Sequence, residues 1–382
     1  MVSKSNHPNH APQHYAYLDA LRGWAILAVI AHHCGNAALC KGQWPFLLSA
    51  AGARGVQLFF AVSAITLLMS MDKRSQWEQH PVRNFFVRRF FRIAPLFWAG
   101  IVFYSCIPTS WCSPPEWLPI VLSATFLFPL WPPAHASVVP GGWSIGVEMC
   151  FYAIFPLMHR HITSMNRGLV ALLLATIAIV PLNLVEKMLY MKLRPEAVHY
   201  LEGQFRFYWF PNQFLVFVVG FVAYFAIRQH AVPLAGSPSL KRRSWIMLVL
   251  ALYLLFGLAF TGHNIIIQKH FTFACGFGLL AWALSVNNCF ALVNPVTRFI
   301  GKISYSMYIW HFALIDLLGG CYGELAPWFP LPPGHDIPRW TCMAAITFAL
   351  AIPVSYLSYR FIEEPGMAIG KRLIRKLEAS PT

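Results

Sequence analysis

Apolar runs long enough to cross a lipid bilayer recur along this chain, and they restrict its fold more than any other feature. Ten are present, at 17–39, 48–71, 90–107, 143–159, 168–186, 205–228, 245–262, 271–287, 303–319 and 339–361. About 20 apolar residues suffice for a helix to span the hydrocarbon core. Hydrophobic residues make up 57% of the 382-residue chain and charged residues only 11%. Soluble domains carry about 25% charged residues. The alternating polar and apolar strands of an outer-membrane barrel are absent. The expected fold is therefore all-α, a polytopic membrane helical bundle, because a helix satisfies its own backbone in lipid.

The basic residues orient that bundle. Lys73, Arg74, Arg83, Arg88, Arg89 and Arg92 follow the second run, Arg160 and Arg167 the fourth, and Lys241–Arg243 the sixth. Arg298 and Lys302 follow the eighth, and Lys371, Arg372, Arg375 and Lys376 the last. Cationic loops stay on the cytoplasmic side. About ten transmembrane helices with both termini cytoplasmic put every one of these clusters inside. A further apolar segment, 117–131, contains Pro119 and Pro129. Crossing there would split the basic loops between two compartments, so it is expected to be re-entrant or interfacial. The net charge of +15 is accounted for by these loops, and nucleic acid is not an expected partner. The lipid bilayer is.

Residues 1–16 read as a disordered tail and 367–382 as a basic cytoplasmic tail, with a single membrane domain, 17–366, between them. No secretory signal peptide is expected, since Asp19 and Arg22 interrupt the first apolar run. The nine cysteines show no CxxC and no metal-finger spacing, so no metal site is expected; Cys106 and Cys112 could pair or stay free.

The first run carries Asp19, Arg22, His32 and His33. At 100° per residue, Arg22 and His33 fall within about 20° of one helix face, with His32 about 80° away. Their separation along the axis is about 16 Å, roughly half the hydrocarbon thickness. Ionisable groups at such depth face a protein interior or a water-filled cavity. Glu148, five residues into the fourth run, sits at a depth similar to His33. A carboxylate beside an imidazole would fix its tautomer and raise its basicity. The bland reading of His33 is a hydrogen-bonded structural histidine.

Three more segments stand out. In FFVRRFFRIAP, Arg88 and Arg92 share a face at i,i+4 and Arg89 and Arg92 at i,i+3. Guanidinium groups suit phosphate, although topology and lipid headgroups also explain them. In GVQLFFAVSAITL, Ser63 reads as a packing residue, with no nucleophile turn around it. In ISYSMYIWHF, Tyr305 and Tyr308 fit interface positions and His311 lies near the midplane, either lining a pore or structural. Glu363-Glu364-Pro365 closes the last helix, where its plainest role is pairing with the basic loops. From these residues alone a catalytic bundle and a proton or organic-anion transporter are both open.

Taken in order, LDALRGWAILAVIAHH, GVQLFFAVSA, RRFFRIAP, WSIGVEMCFY, GKISYSMYIWHF and FIEEP resemble the acyltransferase-3 family of membrane acyltransferases over nearly the whole chain. The resemblance implies about ten transmembrane helices in a cell inner (plasma) membrane. It implies acyl transfer, usually acetyl from cytosolic acetyl-CoA, to a hydroxyl of an extracytoplasmic carbohydrate such as a lipopolysaccharide or exopolysaccharide. By the same carry-over, Arg22 and His33 match the family's helix-1 pair, and Arg89 and Arg92 its cytoplasmic motif. Trp143, Ser144 and Glu148 match its tryptophan–serine…glutamate motif. The catalytic group is then His33, Glu148 and Arg22. Arg89, Arg92 and Arg88 would hold the acetyl-CoA phosphates, and Trp143, Ser144 and His311 would meet substrate, beneath loops 132–142, 187–204 and 320–338. Gln57, Ser63-Ala64-Ile65 and Met149 depart from the family pattern, and Gln57 and Met149 remove two carboxylates.

Overall fold

The computed structural model describes residues 15–38, 49, 51–107, 116–131, 134–193, 205–231, 237–257, 269–325 and 336–379. Among the described residues there is no strand. The helices are α1 (Ala16–Ala38), α2 (Gly55–Arg74), α3 (Pro81–Cys106), α4 (Trp117–Ala124), α5 (Trp143–His161), α6 (Met165–Leu193) and α7 (Phe210–Ala226). They continue as α8 (Pro238–Leu252), α9 (Lys269–Val286), α10 (Pro295–Lys302), α11 (Ser304–Leu325), α12 (Asp336–Ser358) and α13 (Glu364–Ala379). A helix occupies each of the ten apolar runs. By length and composition four helical stretches are apolar enough to cross a membrane: Gly52–Arg74, Met165–Met188, Phe205–Gln229 and Ile337–Ala379.

The segment at 117–131 is broken in two. α4 has eight residues, and a single 3-10 turn, Phe128–Leu130, follows it. Eight helical residues rise only about 12 Å, far short of a bilayer. Phe128 is fully buried, whereas Trp117 and Leu130 are exposed. The expected tail at 1–16 lies outside the described residues except for Tyr15 and Ala16, as do Cys112 and much of the loops at 187–204 and 320–338. Cys106 is a free, exposed thiol.

α1 is held at its charged end by backbone contact with α10. Asn294 starts α10 with a reciprocal cap: its Oδ1 accepts from Thr297 N at 3.0 Å, and Thr297 Oγ1 accepts from Asn294 N at 3.2 Å. Pro295 follows at the first helical position, where its missing N–H costs nothing. The helix so fixed presents Gly301 to Gly23. A Cβ on Gly301 would stand 1.8 Å from Asp19 O, and one on Gly23 would stand 2.1 Å from Thr297 O. Small residues permit this close crossing in membrane bundles. It seats the turn that carries Asp19 and Arg22.

The C-terminal segment folds too. Residues 364–379, set down partly as a tail, form the amphipathic α13, which packs along α3. Gly366 lies against Pro95 and Phe91, and Gly370 against the Phe91 ring. At its far end Glu378 accepts from Gln79 N (2.9 Å), His80 N (3.2 Å), Arg83 (3.1 Å) and Asn84 (2.9 Å), closing the start of α3. That is the role foreseen for Glu363 and Glu364, which do something else. Glu363 is buried and accepts from Ser306, and Glu364 pairs with Arg360 one turn away.

Because no side-chain flexibility can relieve a clash with a backbone oxygen, Gly301→Val should destabilise the bundle by about 3 kcal/mol or more, beyond the range of ordinary overpacking. A thermal melt in detergent would test this. An unchanged midpoint would mean that α1 and α10 do not touch in this way.

Candidate functional site

Five helices turn one stripe each toward a common cavity, which holds about 690 Å³ of empty space. On α5 the stripe is Ser144, Glu148 and Tyr152, spaced by four residues and so stacked along one face. On α3 it is Arg89, Arg92 and Ile93, and on α11 Ser304, Tyr305 and Tyr308. α2 contributes Val56, Phe59, Phe60, Ser63, Thr66 and Leu67, the 3–4 periodicity of a single helix face, and α1 contributes Arg22.

Charge is unevenly shared around this cavity: three guanidinium groups line it against the single carboxylate of Glu148. Arg22 is held on both sides, donating to Asp19 Oδ1 at 2.9 Å and to Thr66 Oγ1 at 2.7 Å. Arg89 lies over the Tyr152 ring, 5.9 Å from its centroid, and its buried Nε has no hydrogen-bond partner among the described residues. Neither Arg89 nor Arg92 forms an ion pair with a described residue. Glu148 accepts from Ser63 Oγ at 2.7 Å and from Tyr152 OH at 2.5 Å. These hydrogen bonds to Glu148 come from neutral donors, and Arg89 and Arg92 keep donors that can take an external anion.

At the other end the wall is a hydroxyl network. Ser144 Oγ donates to Tyr308 OH at 2.8 Å, and Tyr308 OH lies 2.9 Å from Gly141 O. Gly141 has φ +74, and a Cβ there would stand 2.7 Å from the Phe312 ring and 3.1 Å from Tyr308 OH. Only glycine accepts both that conformation and that approach.

Beyond Tyr308 lies a histidine pair. The His311 ring is 5.7 Å from Tyr308 and 5.3 Å from His33, centroid to centroid, and Phe312 is 4.5 Å from His33. His311 Nδ1 lies 3.1 Å from Met307 O and 2.9 Å from Tyr308 O. Both are acceptors, so Nδ1 carries the proton and Nε2 holds the lone pair. His32 points elsewhere, with Nδ1 at 3.1 Å from Ser49 O and Nε2 at 3.1 Å from Asn36 Nδ2. His32 and His33 thus meet different surroundings.

Other expected residues are separated. His33 and Glu148 are not hydrogen bonded to each other, and His33 is not on the cavity wall. Arg88 turns away from Arg89 and Arg92 to make two hydrogen bonds with buried Glu78, at 2.7 and 3.2 Å. Trp143 stacks on Tyr208 at 4.5 Å outside the cavity wall. Gln57 donates to Gln213 at 3.1 Å in the core, and Met149 packs against the core. Tyr305 and Tyr308, expected at the membrane interface, instead line the cavity, and Tyr305 OH donates to Ile93 O at 2.9 Å. Ser63, read as packing, and Thr66 both belong to the polar wall. Their spacing from Val56, Phe59 and Phe60 was the available signal.

A model of the acyltransferase domain family matches residues 15–359. A protein of Acidianus two-tailed virus, provisionally named an acetyltransferase, is 24% identical over 324 residues, or 83% of this chain and 89% of its own. The O-acetyltransferase OatA of Staphylococcus aureus is 23% identical over 388 positions, 93% of this chain. The chain spans 58% of OatA's length. A Staphylococcus aureus protein provisionally named an O-acetyltransferase shares 42% identity over 72 residues, 19% of this chain and 10% of its own. None of these relatives is named as a transporter. No solved structure matches the chain.

The Arg88–Glu78 pair should behave as a stabilising contact. The Glu78 side chain is 1% exposed, and Arg88→Ala would leave Arg74, at 3.1 Å, as its remaining ion-pair partner. A loss of about 3 kcal/mol is expected on removing one member of a buried pair. Chemical or thermal unfolding of the variant in detergent measures it, and Glu78→Gln combined with Arg88→Ala should recover part of that loss.

Proposed function

The chain belongs to the acyltransferase-3 family, and on that premise we propose that it is a membrane O-acyltransferase. It carries an acyl group, most simply acetyl, from cytosolic acyl-CoA to a hydroxyl of an extracytoplasmic carbohydrate. The observation that carries this reading is the cavity whose three guanidinium groups face one committed carboxylate and whose opposite end is the Ser144–Tyr308 network. A polyanionic donor fits the first end, since guanidinium pairs with phosphate in fixed geometry. A neutral sugar hydroxyl fits the second.

The proposed topology has about ten spans in the inner membrane with both termini cytoplasmic, which puts the arginines on the donor side. Arg89 and Arg92, with Arg22 behind them, hold the phosphates of acetyl-CoA. The pantetheine arm runs up the cavity toward Ser144 and Tyr308. There the acceptor oxygen attacks the thioester carbonyl, the C–S bond breaks and an ester C–O bond forms. His33 takes the hydroxyl proton and returns it to the leaving CoA thiolate, or first accepts the acyl group itself before the acceptor arrives. Glu148 accepts from Ser63 and Tyr152 and fixes both hydroxyls on the cavity wall, and its one charge only partly offsets the three arginines. Ser144, Trp143 and His311 shape the acceptor end.

Labelled acetyl-CoA supplied to the purified protein with a carbohydrate acceptor tests this. His33→Ala should reduce transfer by about 100-fold or more, the usual contribution of a general base. Wild-type transfer from that variant would overturn the catalytic assignment. Label retained on His33 without acceptor distinguishes the covalent route from direct transfer. Arg89→Gln and Arg92→Gln should raise the KM for acetyl-CoA roughly tenfold each, the scale of a lost charge-assisted contact. An unchanged KM would return those arginines to a purely topological role.

A further inference from the structure

A second hollow, larger than the first and of opposite character, lies on the far side of the bundle between α6, α7, α8 and α9. It holds about 1310 Å³ of empty space, counting the part open at its mouth. All four helices contribute a stretch of equal length: Met165 to Leu172 on α6, Val219 to Ala226 on α7, Leu240 to Met247 on α8 and Cys275 to Trp282 on α9. Seven residues of helix rise about 10 Å, so the hollow is a slot about 10 Å long, open to the outside. Small residues make its floor. A Cβ on Gly278 would stand 3.2 Å from Val219 and 3.6 Å from Ala223. The outer lip is α6, whose Leu169, Leu173 and Ile177 are exposed and face the surroundings of the bundle.

Among the described residues one charged side chain lines the slot, Arg243 on α8. It is exposed and forms no ion pair with any described residue. Chain direction puts it at a definite depth. On the proposed topology α6 and α8 begin, and α7 and α9 end, at the cytoplasmic face, so Met165, Ala226, Leu240, Arg243 and Trp282 lie within about one turn of that face. Leu172, Val219, Met247 and Cys275 lie about one to two turns deeper. A guanidinium and an indole thus sit at headgroup level above an all-apolar slot that reaches into one leaflet. An arginine and a tryptophan are suited to that level, where each keeps a polar end in contact with water or phosphate.

We propose that this slot is a binding site for a membrane phospholipid with an anionic headgroup, one acyl chain lying between α6 and α9 and the headgroup phosphate on Arg243. The site is independent of the acyl-transfer cavity, with which it shares no lining residue. The lone cation at the mouth selects an anionic lipid over a zwitterionic one, and the slot selects a chain over a soluble anion.

Native mass spectrometry of the purified protein, released from nanodiscs containing equal phosphatidylglycerol and phosphatidylcholine, tests the proposal. The wild type should retain phosphatidylglycerol, and Arg243→Gln should lower that preference roughly fivefold, the scale of one basic contact at an anionic surface. Arg242→Gln, one residue away and not on the slot wall, should leave it unchanged. Gly278→Leu should reduce retained lipid of both kinds by filling the floor. Equal losses from the Arg242 and Arg243 variants would overturn the site in favour of a diffuse basic surface. Unchanged retention in both Arg243→Gln and Gly278→Leu would overturn it outright.

Discussion

A guanidinium group carried into an apolar bundle has to be held by polar partners, and much of this molecule can be understood as the means of holding Arg22. Its bond to Asp19 stays within α1, and its bond to Thr66 joins α1 to α2. The turn that bears it is clamped by the Gly23–Gly301 crossing, and that crossing depends on a short helix whose start is fixed by the Asn294–Thr297 cap. A cap worth about 1 kcal/mol thereby governs where a buried cation sits. Local structure at Asn294 is linked through packing to the electrostatics of a cavity formed by other helices.

The same logic separates the arginines of α3. Four residues apart on one helix, Arg88 and Arg92 meet different surroundings. Arg88 is neutralised by Glu78 inside a network that also includes Arg74 and Asn84. Arg89 and Arg92 face the cavity and form no ion pair with a described residue. Neutralising one cation and leaving its neighbours free requires α3 to hold its rotation about its own axis. α13 supplies that hold, with Gly366 and Gly370 against Phe91 and Pro95 and with Glu378 over the first turn. A helix at the chain end therefore determines which arginines remain available near its beginning.

The fold was legible in the sequence because lipid leaves few choices: each long apolar run must close its own hydrogen bonds, and a helix does so. Helical angle likewise set His33 and His32 on different faces, whereas it grouped both Arg88 and Arg89 with Arg92. What could not be read was pairing between helices. Arg88 and Arg92 are equivalent by spacing, and only the position of Glu78 tells them apart. Equal depth suggested His33 with Glu148, yet depth says nothing of azimuth, and the rings in contact with His33 include those of His311 and Phe312. Ser63 was discounted as a lone serine in an apolar run. Its role comes from Glu148, 85 positions away. The family resemblance supplied which residues to watch, and three-dimensional packing decided which of them meet.

The two hollows show how one set of helices can present opposite chemistry on two sides. α2, α3, α5 and α11 direct their polar stripes inward, where the low dielectric strengthens each interaction and every donor needs a partner. The described wall of the slot carries one charged side chain, Arg243 at its mouth; deeper in, the lining is apolar and offers little to order water, and an apolar slot next to lipid fills with lipid. α7 joins the two regions: Gly220 packs against Ala61 and Ala64 of α2, while Val219, Val222 and Ala223 line the slot. Any displacement of α7 by the occupant of the slot would be felt first at α2, the helix that supplies Ser63 and Thr66. Packing interiors transmit such shifts because they are dense and resist compression. The lipid-facing side is thus mechanically connected to the wall that holds Arg22 and Glu148, through one helix and two small-residue contacts.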